Sequence, residues 1–401
     1  TQLVKDLYKG RLQHDSVLAK DSAVNIPLFT TALKNFQTLP ADSFAKLLEP
    51  KHAGYDSLKI ALKRFLSLAN FKSYTRIQSK DSTKIPGLVY KRLTEVDSLN
   101  LTEQKNVDSI ELAVAIKKYQ KRAGLKVDGK MSNAIISRLN NTDVEKFIRI
   151  AITLDKYKTL QTLPAQYIWV NIPAYRLQVV DSDTIVMTSK VVVGKAETKT
   201  PQITSALTDM ITYPKWHIPE SIIKNDILPG LKKDPGYTLR KGYTLFDGNG
   251  NEVDPYSVDW YKYKTGIPYS VVQGSGDENA LGVLKFNFPN KFSVYLHDTN
   301  QRYLFAKQAR ALSHGCVRVQ AWQELAYFLL RNDSLQTGKA LPVDSLNNWL
   351  AQKEKHVIPV RKKFPLFIRY FSCEAKDDRV VFYEDVYGED KRTRERFFSN
   401  K

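Results

Sequence analysis

The feature that most constrains this sequence is a change in the spacing of its apolar residues near Pro164. Before that proline, apolar residues recur three and four positions apart, as in residues 144–160, and this spacing predicts amphipathic helices. After it, apolar and polar residues alternate from residue 167 onward, which predicts β-strands. The chain has 401 residues, more than a typical single domain. We therefore predict a multidomain α+β protein in which helical units precede a mainly β domain.

Charge and composition limit the classes of partner. The chain has 61 Lys and Arg against 42 Asp and Glu, and the resulting formal charge of +19 favours acidic partners such as nucleic acid, anionic lipid or a carboxylate-rich wall polymer. The basic residues are interspersed with acidic ones, and no zinc-finger, basic-heptad or RNA-recognition motif is present, so we expect no nucleic acid partner. No apolar run approaches the ~20 residues that span a bilayer. The two cysteines are too few for a disulfide scaffold or a four-cysteine zinc module.

The helical half divides into a scaffold and a smaller unit. Helical spacing at 26–36 and 58–66 predicts a helical scaffold over residues 1–100. In 101–143, an apolar stripe that ends at Gly124 and a turn at Asp128-Gly129 predict a compact helical unit. The Tyr119-Gln120 pair, Gly124-Leu125 and Asp128-Gly129 together resemble the three-helix peptidoglycan-binding repeat. A generic helical hairpin is the alternative.

Residues after 143 are predicted to form a linker helix, a β domain and a tail. Strands are expected at 167–172, 176–180, 184–187, 190–194, 282–288, 292–297, 367–372 and 379–383, and helices at 301–312 and 321–330. An interval rich in Pro, Gly, Tyr and Lys breaks the strand pattern and indicates an inserted subdomain. The predicted boundaries are 144–165 for the linker helix, 166–345 for the β domain, 217–274 for the insertion and 346–401 for a C-terminal segment.

The reactive residues cluster where two of the six histidines lie close to a cysteine. His297 ends a predicted strand, and Cys316 follows His314 and Gly315 in a loop before another strand. A free thiol, with a pKa near 8.5, is only a few per cent ionised at neutral pH, so a cysteine nucleophile needs a neighbouring base such as imidazole. A glycine beside it lets backbone N–H groups point at a developing oxyanion. This pattern predicts a catalytic cysteine.

Three other interpretations of Cys316 remain open. It could be an inert buried thiol, which is common for cysteine. It could bind zinc together with His297 and His314, although a fourth ligand is missing. It could form a disulfide with Cys373, which itself lies in an alternating strand without a nearby histidine and is expected to be structural.

The segment that runs from His297 to Ser313-His314-Gly315-Cys316, with Arg318 two residues further, resembles the signature of the YkuD-type L,D-transpeptidase catalytic domain. Segments at 167–177, 193–201, 279–289 and 381–390 are similar to its large YcbB-like branch. That branch combines a helical scaffold, a peptidoglycan-binding unit and a catalytic domain that carries a capping insertion. The resemblance therefore implies a catalytic role for the β domain at 166–345.

The resemblance also implies roles for individual residues. Cys316 would attack the carbonyl of the third stem-peptide residue and release the terminal D-Ala, while His297 would keep Cys316 ionised and later accept a proton from the incoming amine. The N–H groups of Gly315 and Cys316, with the hydroxyl of Tyr295, would hold the oxyanion, and His314 would shape the loop.

Substrate contacts are expected from Ser313, Arg318 and Trp216. Arg318 could orient a substrate carboxylate, or instead anchor the loop through a salt bridge. Trp216 and the insertion would cap the donor peptide, although core packing of an aromatic residue would leave the same pattern.

The implied partners are donor and acceptor stem peptides of peptidoglycan, with carbapenem-type β-lactams as covalent inhibitors. We expect no cofactor and no metal, a monomer, and an extracytoplasmic, periplasmic location, with the export signal or anchor outside this sequence. The alternatives are an L,D-carboxypeptidase or endopeptidase that uses water as acceptor, and a non-catalytic wall-binding protein.

Overall fold

A computed structural model of the chain describes residues 2–12, 30–31, 34–35, 39–97, 108–160, 163–339 and 341–398. The helix predicted at 26–36 lies largely outside these residues. Among the helices that are described, none combines the length and the apolar character needed to cross a membrane.

Helices make up the first part of the chain, as the apolar spacing predicts. They are α1 (Gln2–Lys9), α2 (Ala41–Leu48), α3 (Ala53–Leu68), α4 (Ile85–Asp97), α5 (Ser109–Arg122), α6 (Asn133–Asn140) and α7 (Asp143–Tyr157). Side-chain caps fix several starts. The Thr142 hydroxyl accepts from the Glu145 N–H at 3.3 Å, and the Ser132 hydroxyl accepts from the Ile135 N–H at 3.3 Å. Such caps satisfy N–H groups that have no partner within the helix.

Helices α4, α5 and α6 pack around one small apolar core. Its buried members are Ile77, Val89, Leu93, Leu112, Ile116, Ile135 and Leu139. The buried Gln120 side chain closes the turn between α5 and α6, because its oxygen accepts from the N–H groups of Asp128 at 3.0 Å and Gly129 at 2.9 Å. The unit therefore takes in α4, which precedes the boundary predicted at residue 101.

The β domain is built on one nine-stranded sheet. Its strands are β1 (Gln166–Asn171), β2 (Arg176–Asp181), β3 (Thr184–Gly194), β4 (Ile203–Thr212), β8 (Leu284–Asn287), β9 (Leu296–His297), β10 (Ala311–Ser313), β11 (Val317–Val319) and β12 (Val357–Arg369). Their order is β10-β3-β11-β9-β8-β4-β12-β1-β2, and β2 also pairs with β3. The sheet thus closes on itself, since β3 pairs with β2 through its first part and with β11 through its second.

The C-terminal segment is part of this sheet. Strand β12 lies between β1 and β4, parallel to β1 and antiparallel to β4. The predicted segment 346–401 therefore does not stand apart from the β domain, because its longest strand completes the sheet. The strands predicted separately at 184–187 and 190–194 are likewise one strand, β3.

Both faces of the sheet are covered, and the alternation of β1 shows how. Ile168 and Val170 point into the main core, against helix α11 (Trp322–Thr337), whereas Tyr167 and Trp169 point outward into a second cluster. Residues of α3 and α7 belong to that second cluster. The helical scaffold is therefore packed directly on the nine-stranded sheet through aromatic side chains.

The prediction of a helix at 301–312 is wrong. The structure has a 3₁₀ segment at Arg302–Ala306 and then strand β10, whose Ala311 pairs with Val193 of β3. The Val193 N–H also donates to the Arg310 carbonyl at 2.9 Å. These backbone groups bond to a neighbouring strand, so tertiary pairing overrides the helical preference of the local sequence. The helix predicted at 321–330 corresponds to α11.

Residues 216–273 form a lobe with its own sheet and core. Strands β5 (Trp216–His217), β6 (Tyr243–Phe246) and β7 (Ser270–Gln273) pair in the order β5-β7-β6. Its helices are α8 (Glu220–Ile222), α9 (Leu228–Lys233) and α10 (Tyr237–Arg240), with a π-helical turn at Ile223–Ile227 between the first two. Its buried residues are Ile218, Ile223, Ile227, Leu228, Leu231, Leu245, Trp260 and Val271.

The end of the chain is tied to α7 by a buried ion pair. Beyond α12 (Val343–Gln352) and the hairpin β13 (Cys373–Lys376) and β14 (Arg379–Phe382), helix α13 (Glu389–Phe397) follows. The Lys156 ammonium donates to Asp390 at 2.8 Å and to the Tyr370 carbonyl at 2.9 Å, and the Ser372 hydroxyl donates to the other Asp390 oxygen. We call Lys156, Ser372 and Asp390 the tail clamp.

Candidate active site

Three neighbouring strands bring the reactive side chains to one face of the sheet. Lys285 of β8 pairs with His297 of β9, and His297 pairs with Arg318 of β11. Because side chains alternate along a strand, Tyr295 shares the face of His297, and Cys316 shares the face of Arg318. The residues between them, at positions 296 and 317, are buried in the main core on the opposite face. Strand register alone thus gathers five chemically active side chains.

A cavity of about 80 Å³ lies on this face. Seven of the eight residues predicted from the sequence line it: Trp216, Tyr295, His297, Ser313, His314, Cys316 and Arg318. The eighth, Gly315, is buried in the loop itself. The lobe contributes Trp216, Pro219, Ser221 and Ile222 to the wall. We call this space the cysteine cavity.

The loop that carries Cys316 is held by its own serine. The Ser313 hydroxyl accepts from the Gly315 N–H at 3.1 Å and donates to the Cys316 carbonyl at 2.6 Å. Gly315 has φ of +121°, in a region that residues with a side chain rarely adopt. The Gly315 N–H is therefore already engaged, in contrast to the expectation that it would donate to an oxyanion. Ser313 shapes the loop in addition to lining the cavity.

A second loop braces the first from behind. The Ser313 carbonyl accepts from the Lys195 N–H at 2.9 Å and from the Thr198 hydroxyl at 3.0 Å. The Thr200 hydroxyl donates to the Gly315 carbonyl at 2.8 Å. The residues that follow β3 thus bind both carbonyls that flank His314.

His314 contacts the lobe. Its Nε2 lies 2.7 Å from an Asp226 carboxylate oxygen, and Asp226 belongs to the π-helical turn of the lobe. Sequence reasoning missed Asp226, because no local pattern links the insertion to the cysteine loop. His314 consequently joins the loop to the lobe.

Burial keeps the thiol and the imidazole neutral at rest. Burial, followed by the positive charge of Arg318, lowers the pKa of His297 to about 3. Burial raises the pKa of Cys316, while contacts from Tyr295 and the charges of Lys285 and Arg318 oppose that rise. This differs from the expectation that His297 holds Cys316 as a thiolate. Both side chains are therefore uncharged in the resting cavity.

Two buried polar atoms around the cavity, His297 Nδ1 and Arg318 Nε, have no hydrogen-bond partner among the described residues. Buried polar groups are normally paired, so unpaired ones that line a cavity mark places where a ligand can bind. The other end of the Arg318 guanidinium donates to Gln301 Oε1 at 2.7 Å and Thr299 Oγ1 at 3.2 Å, which are neutral acceptors. Its positive charge is not neutralised by any carboxylate of the described residues.

Comparison with known proteins agrees with this geometry. Residues 165–343 match the family described as YkuD, the L,D-transpeptidase catalytic domain. These residues are therefore similar to that family. A Haemophilus influenzae protein named "Putative L,D-transpeptidase" is 38% identical over 226 residues, which are 56% of this chain and 45% of that relative. The match thus spans less than half of the relative's length.

Two solved structures are also similar, each with 12% sequence identity and a TM-score of 0.19. One is the Enterococcus faecium L,D-transpeptidase C442S mutant, with 57% of this chain and 64% of that chain covered. The other is the Ldtfm-avibactam carbamoyl enzyme, with 78% and 98% covered. Scores this low add nothing to the YkuD assignment, which rests on residues 165–343.

The structure contradicts one of the other interpretations of the cysteines. Both Cys316 and Cys373 are free thiols, so the disulfide is contradicted. Cys373 is fully buried in the second cluster, and its sulfur lies 3.2 Å from Thr153 Oγ1. Over the described ranges, no three His, Cys, Asp or Glu side chains are grouped as metal ligands.

Sequence reasoning missed Lys285, whose ammonium lies 4.1 Å from the centre of the Tyr295 ring. Burial lowers the pKa of Lys285, and the nearby Cys316 opposes that shift. The alternation of 284–287 carries the signal that could have found it, since Lys285 and Asn287 interrupt apolar residues that face the core.

Proposed function

We propose that this protein is an L,D-transpeptidase that cross-links peptidoglycan stem peptides through their third residues by way of a Cys316 thioester. The observation that carries the proposal is the cysteine cavity of the YkuD domain, where a thiol, a neutral imidazole and an unneutralised guanidinium share one face of the sheet. Cysteine nucleophiles paired with histidine are suited to acyl transfer.

In the acylation step, Cys316 Sγ bonds to the carbonyl carbon of the third donor residue while its proton passes to His297. The tetrahedral oxyanion then collapses, the bond to D-Ala breaks, and His297 returns the proton to the departing amine. The lowered pKa of His297 favours the second of these proton transfers, because an imidazolium formed in the cavity gives up its proton readily to the departing amine.

Oxyanion stabilisation falls to the Cys316 N–H and the Tyr295 hydroxyl, since Ser313 engages the Gly315 N–H. Burial raises the pKa of Tyr295, so its hydroxyl keeps the proton it would donate. Arg318, whose Nε has no partner, binds the terminal carboxylate of the donor.

In the transfer step, the side-chain amine of an acceptor stem peptide attacks the thioester, His297 takes the amine proton, and Cys316 leaves and is reprotonated. Water in place of the amine would give L,D-carboxypeptidase activity from the same intermediate. The choice depends on the acceptor side of the cavity.

The remaining units serve the same substrate in this proposal. The lobe caps the donor peptide through Trp216, and the unit formed by α4, α5 and α6 binds peptidoglycan. A net charge of +19 suits an acidic wall polymer in an extracytoplasmic, periplasmic setting. A monomer is sufficient, because one chain supplies every residue of the cavity.

The first test is intact-mass spectrometry after exposure to a carbapenem, which acylates a cysteine nucleophile of this kind. We expect one adduct on the natural protein, the same adduct on Cys373→Ala, and none on Cys316→Ala. Cys373→Ala is the matched control, since it removes the other thiol. A folded natural protein with a free Cys316 that gains no adduct would contradict the proposal and favour a wall-binding protein.

A second assay separates transfer from hydrolysis. The protein is incubated with a stem tetrapeptide that carries a third-position diaminoacid, and the products are resolved by liquid chromatography and mass spectrometry. A cross-linked dimer with release of D-Ala supports transpeptidation. If tripeptide is the only product, the proposed transpeptidase activity is wrong and the protein is an L,D-carboxypeptidase.

A further inference from the structure

We propose that Thr200 is a positioning residue for the oxyanion site and that Tyr387, from the C-terminal segment, holds Thr200 in place. Through this relay the end of the chain would determine how the Cys316 N–H is aimed. The inference rests on the proposed function, because an oxyanion forms only when Cys316 is acylated.

The Thr200 hydroxyl has a fixed direction. It accepts from the Gly194 N–H at 2.8 Å and lies 2.8 Å from the Gly315 carbonyl oxygen. A hydroxyl has a single proton, and a carbonyl can only accept, so that proton is committed to Gly315. Thr200 is 2% exposed, and water does not compete for these bonds.

This bond orients the catalytic peptide group. In a planar trans peptide, the carbonyl and the following N–H point in opposite directions. Holding the Gly315 carbonyl toward Thr200 therefore directs the Cys316 N–H away from Thr200, to the side of the peptide on which the oxyanion is proposed to form. Gly315 has no side chain to restrict its dihedral angles, so hydrogen bonds supply the restraint, and the bond from Thr200 is the one on the Gly315 carbonyl.

The alternative oxyanion donor on this loop is already occupied. Ser313 takes the Gly315 N–H, as described above. The loop thus depends on one peptide N–H for this purpose, and a small rotation of that peptide plane would weaken the interaction. Such dependence makes a dedicated restraint on the Gly315 carbonyl functionally important.

Tyr387 closes the relay from the far end of the chain. Its hydroxyl accepts from the Thr200 N–H at 3.0 Å and donates to the Gly194 carbonyl at 2.7 Å. Gly194 allows this closure, because a Cβ there would lie 2.0 Å from the Thr198 carbonyl. Burial raises the pKa of Tyr387 to about 12, so its hydroxyl stays protonated at neutral pH.

The relay extends beyond the region matched by the YkuD family, since Tyr387 follows residue 343. Tyr387 is itself anchored, because its N–H donates to the Tyr370 hydroxyl at 3.0 Å. The C-terminal segment thus both completes the sheet and reaches the cysteine loop through two hydrogen-bonded side chains.

The test compares two reactions of Cys316. Acylation by a carbapenem passes through a tetrahedral oxyanion, whereas alkylation by iodoacetamide displaces iodide at a saturated carbon and forms none. Thr200→Val removes the hydroxyl at nearly constant volume. We expect acylation to slow by about tenfold to hundredfold and alkylation to change by less than about twofold. Thr200→Ser keeps the hydroxyl and should restore most of the acylation rate.

Thr212→Val is the matched control. The buried Thr212 hydroxyl also accepts from a backbone N–H, of His356 at 2.8 Å, and donates to a backbone carbonyl, of Glu354 at 2.7 Å. The Thr212→Val variant loses the same kind of bonds at a place away from the cysteine loop, so acylation and alkylation of Cys316 should both keep their natural rates. Tyr387→Phe should slow acylation less than Thr200→Val, because the Thr200 hydroxyl remains.

The outcomes separate the two proposals. If Thr200→Val is acylated at the same rate as the natural protein, the relay is overturned and the proposed function is unaffected. Equal loss of both reactions without rescue by Thr200→Ser also overturns it, because that result indicates general disruption. If the natural protein itself gains no carbapenem adduct, the proposed function fails first, and the relay loses its premise.

Discussion

The cysteine cavity and the tail clamp are both buried groups of charged and polar side chains, yet they are completed in opposite ways. In the clamp, Lys156 and Asp390 are each 3% exposed and bind each other at 2.8 Å. In the cavity, Arg318 and His297 each keep a polar atom without a partner among the described residues. A polar group that is fully paired within the chain stabilises the fold, whereas one left unpaired at a cavity is available to a ligand.

Protonation follows the same division. Burial alone would lower the pKa of Lys156 and raise that of Asp390, but their opposite charges reverse both shifts and keep the pair ionised. In the cavity no negative charge offsets the burial of His297, so its pKa falls, and the positive charges of Lys285 and Arg318 only partly offset the burial of Cys316, whose pKa rises. Similar burial therefore yields a fixed ion pair in one region and a reactive neutral pair in the other.

The largest effect is expected when the tail clamp is broken. Lys156→Met leaves the buried Asp390 carboxylate with only the more distant Arg149, whose Nε lies 4.0 Å away, as counter-charge, and we expect a loss of up to about 3–5 kcal/mol in the free energy of unfolding. Urea unfolding followed by tryptophan fluorescence measures it. The double variant Lys156→Met/Asp390→Leu should recover most of the loss, because no charge is then left unpaired.

Acid should weaken the clamp as well. Since Lys156 holds the pKa of Asp390 below its ordinary value, the stabilisation is complete above about pH 4 and is lost as the pH falls through the lowered pKa. The double variant should lack this component of acid sensitivity. If the natural protein and the double variant were equally sensitive to acid, the Lys156–Asp390 ion pair would not contribute to stability as described.

A smaller effect is expected for Arg318→Gln in the cavity. Loss of a charged hydrogen bond to the donor carboxylate should raise KM for the donor by about ten- to a hundredfold, with the free energy of unfolding little changed. Donor peptide with an amidated terminal carboxylate provides the decisive comparison. The natural protein should prefer the free carboxylate, and the variant should lose that preference.

Arg240→Gln on the lobe is the control for that change, because Arg240 is an exposed arginine paired with Asp234. It should leave the preference for the free carboxylate intact. If Arg318→Gln retained the preference too, the terminal carboxylate would have to bind elsewhere.

The smallest effect is expected for Lys285→Met. Removing this positive charge should raise the pKa of Cys316 further, so alkylation by iodoacetamide at pH 8 should slow by about two- to tenfold. The rate profile should shift to higher pH and approach the natural rate where both thiols are ionised. Lys291→Met, an exposed lysine on the following loop, should leave the profile unchanged.

Much of the site could be predicted because its residues are close in sequence or follow strand alternation. The spacing between His297 and the Ser313–Cys316 run identified a cysteine site, and the cavity contains both. Asp226 and Tyr387 could not be found in this way, because each reaches the cysteine loop from a distant segment. A hydrogen bond to a backbone carbonyl leaves no periodic trace in the sequence.

Predictions of the fold failed where tertiary pairing decided the structure. Residues 301–312 have the composition of a helix, yet Ala311 pairs with β3. The strand that became β12 was recognised only in part, at 367–372, because its first half carries the charged run Arg361-Lys362-Lys363. Alternation detects a strand, but it does not reveal which strands will be its neighbours.

The central position of β12 has a consequence for how the protein reaches its active form. Ile168 of β1 pairs with Leu366 of β12, and Leu207 of β4 pairs with Phe364 of β12. Strands β1 and β4 are therefore synthesised well before the strand that lies between them. Until it arrives, β1 and β4 each present an open edge on which other chains could assemble. Sheets that depend on such distant partners form slowly. A polypeptide cut at residue 343, where the family match ends, would keep Cys316 and His297 but would be expected to aggregate.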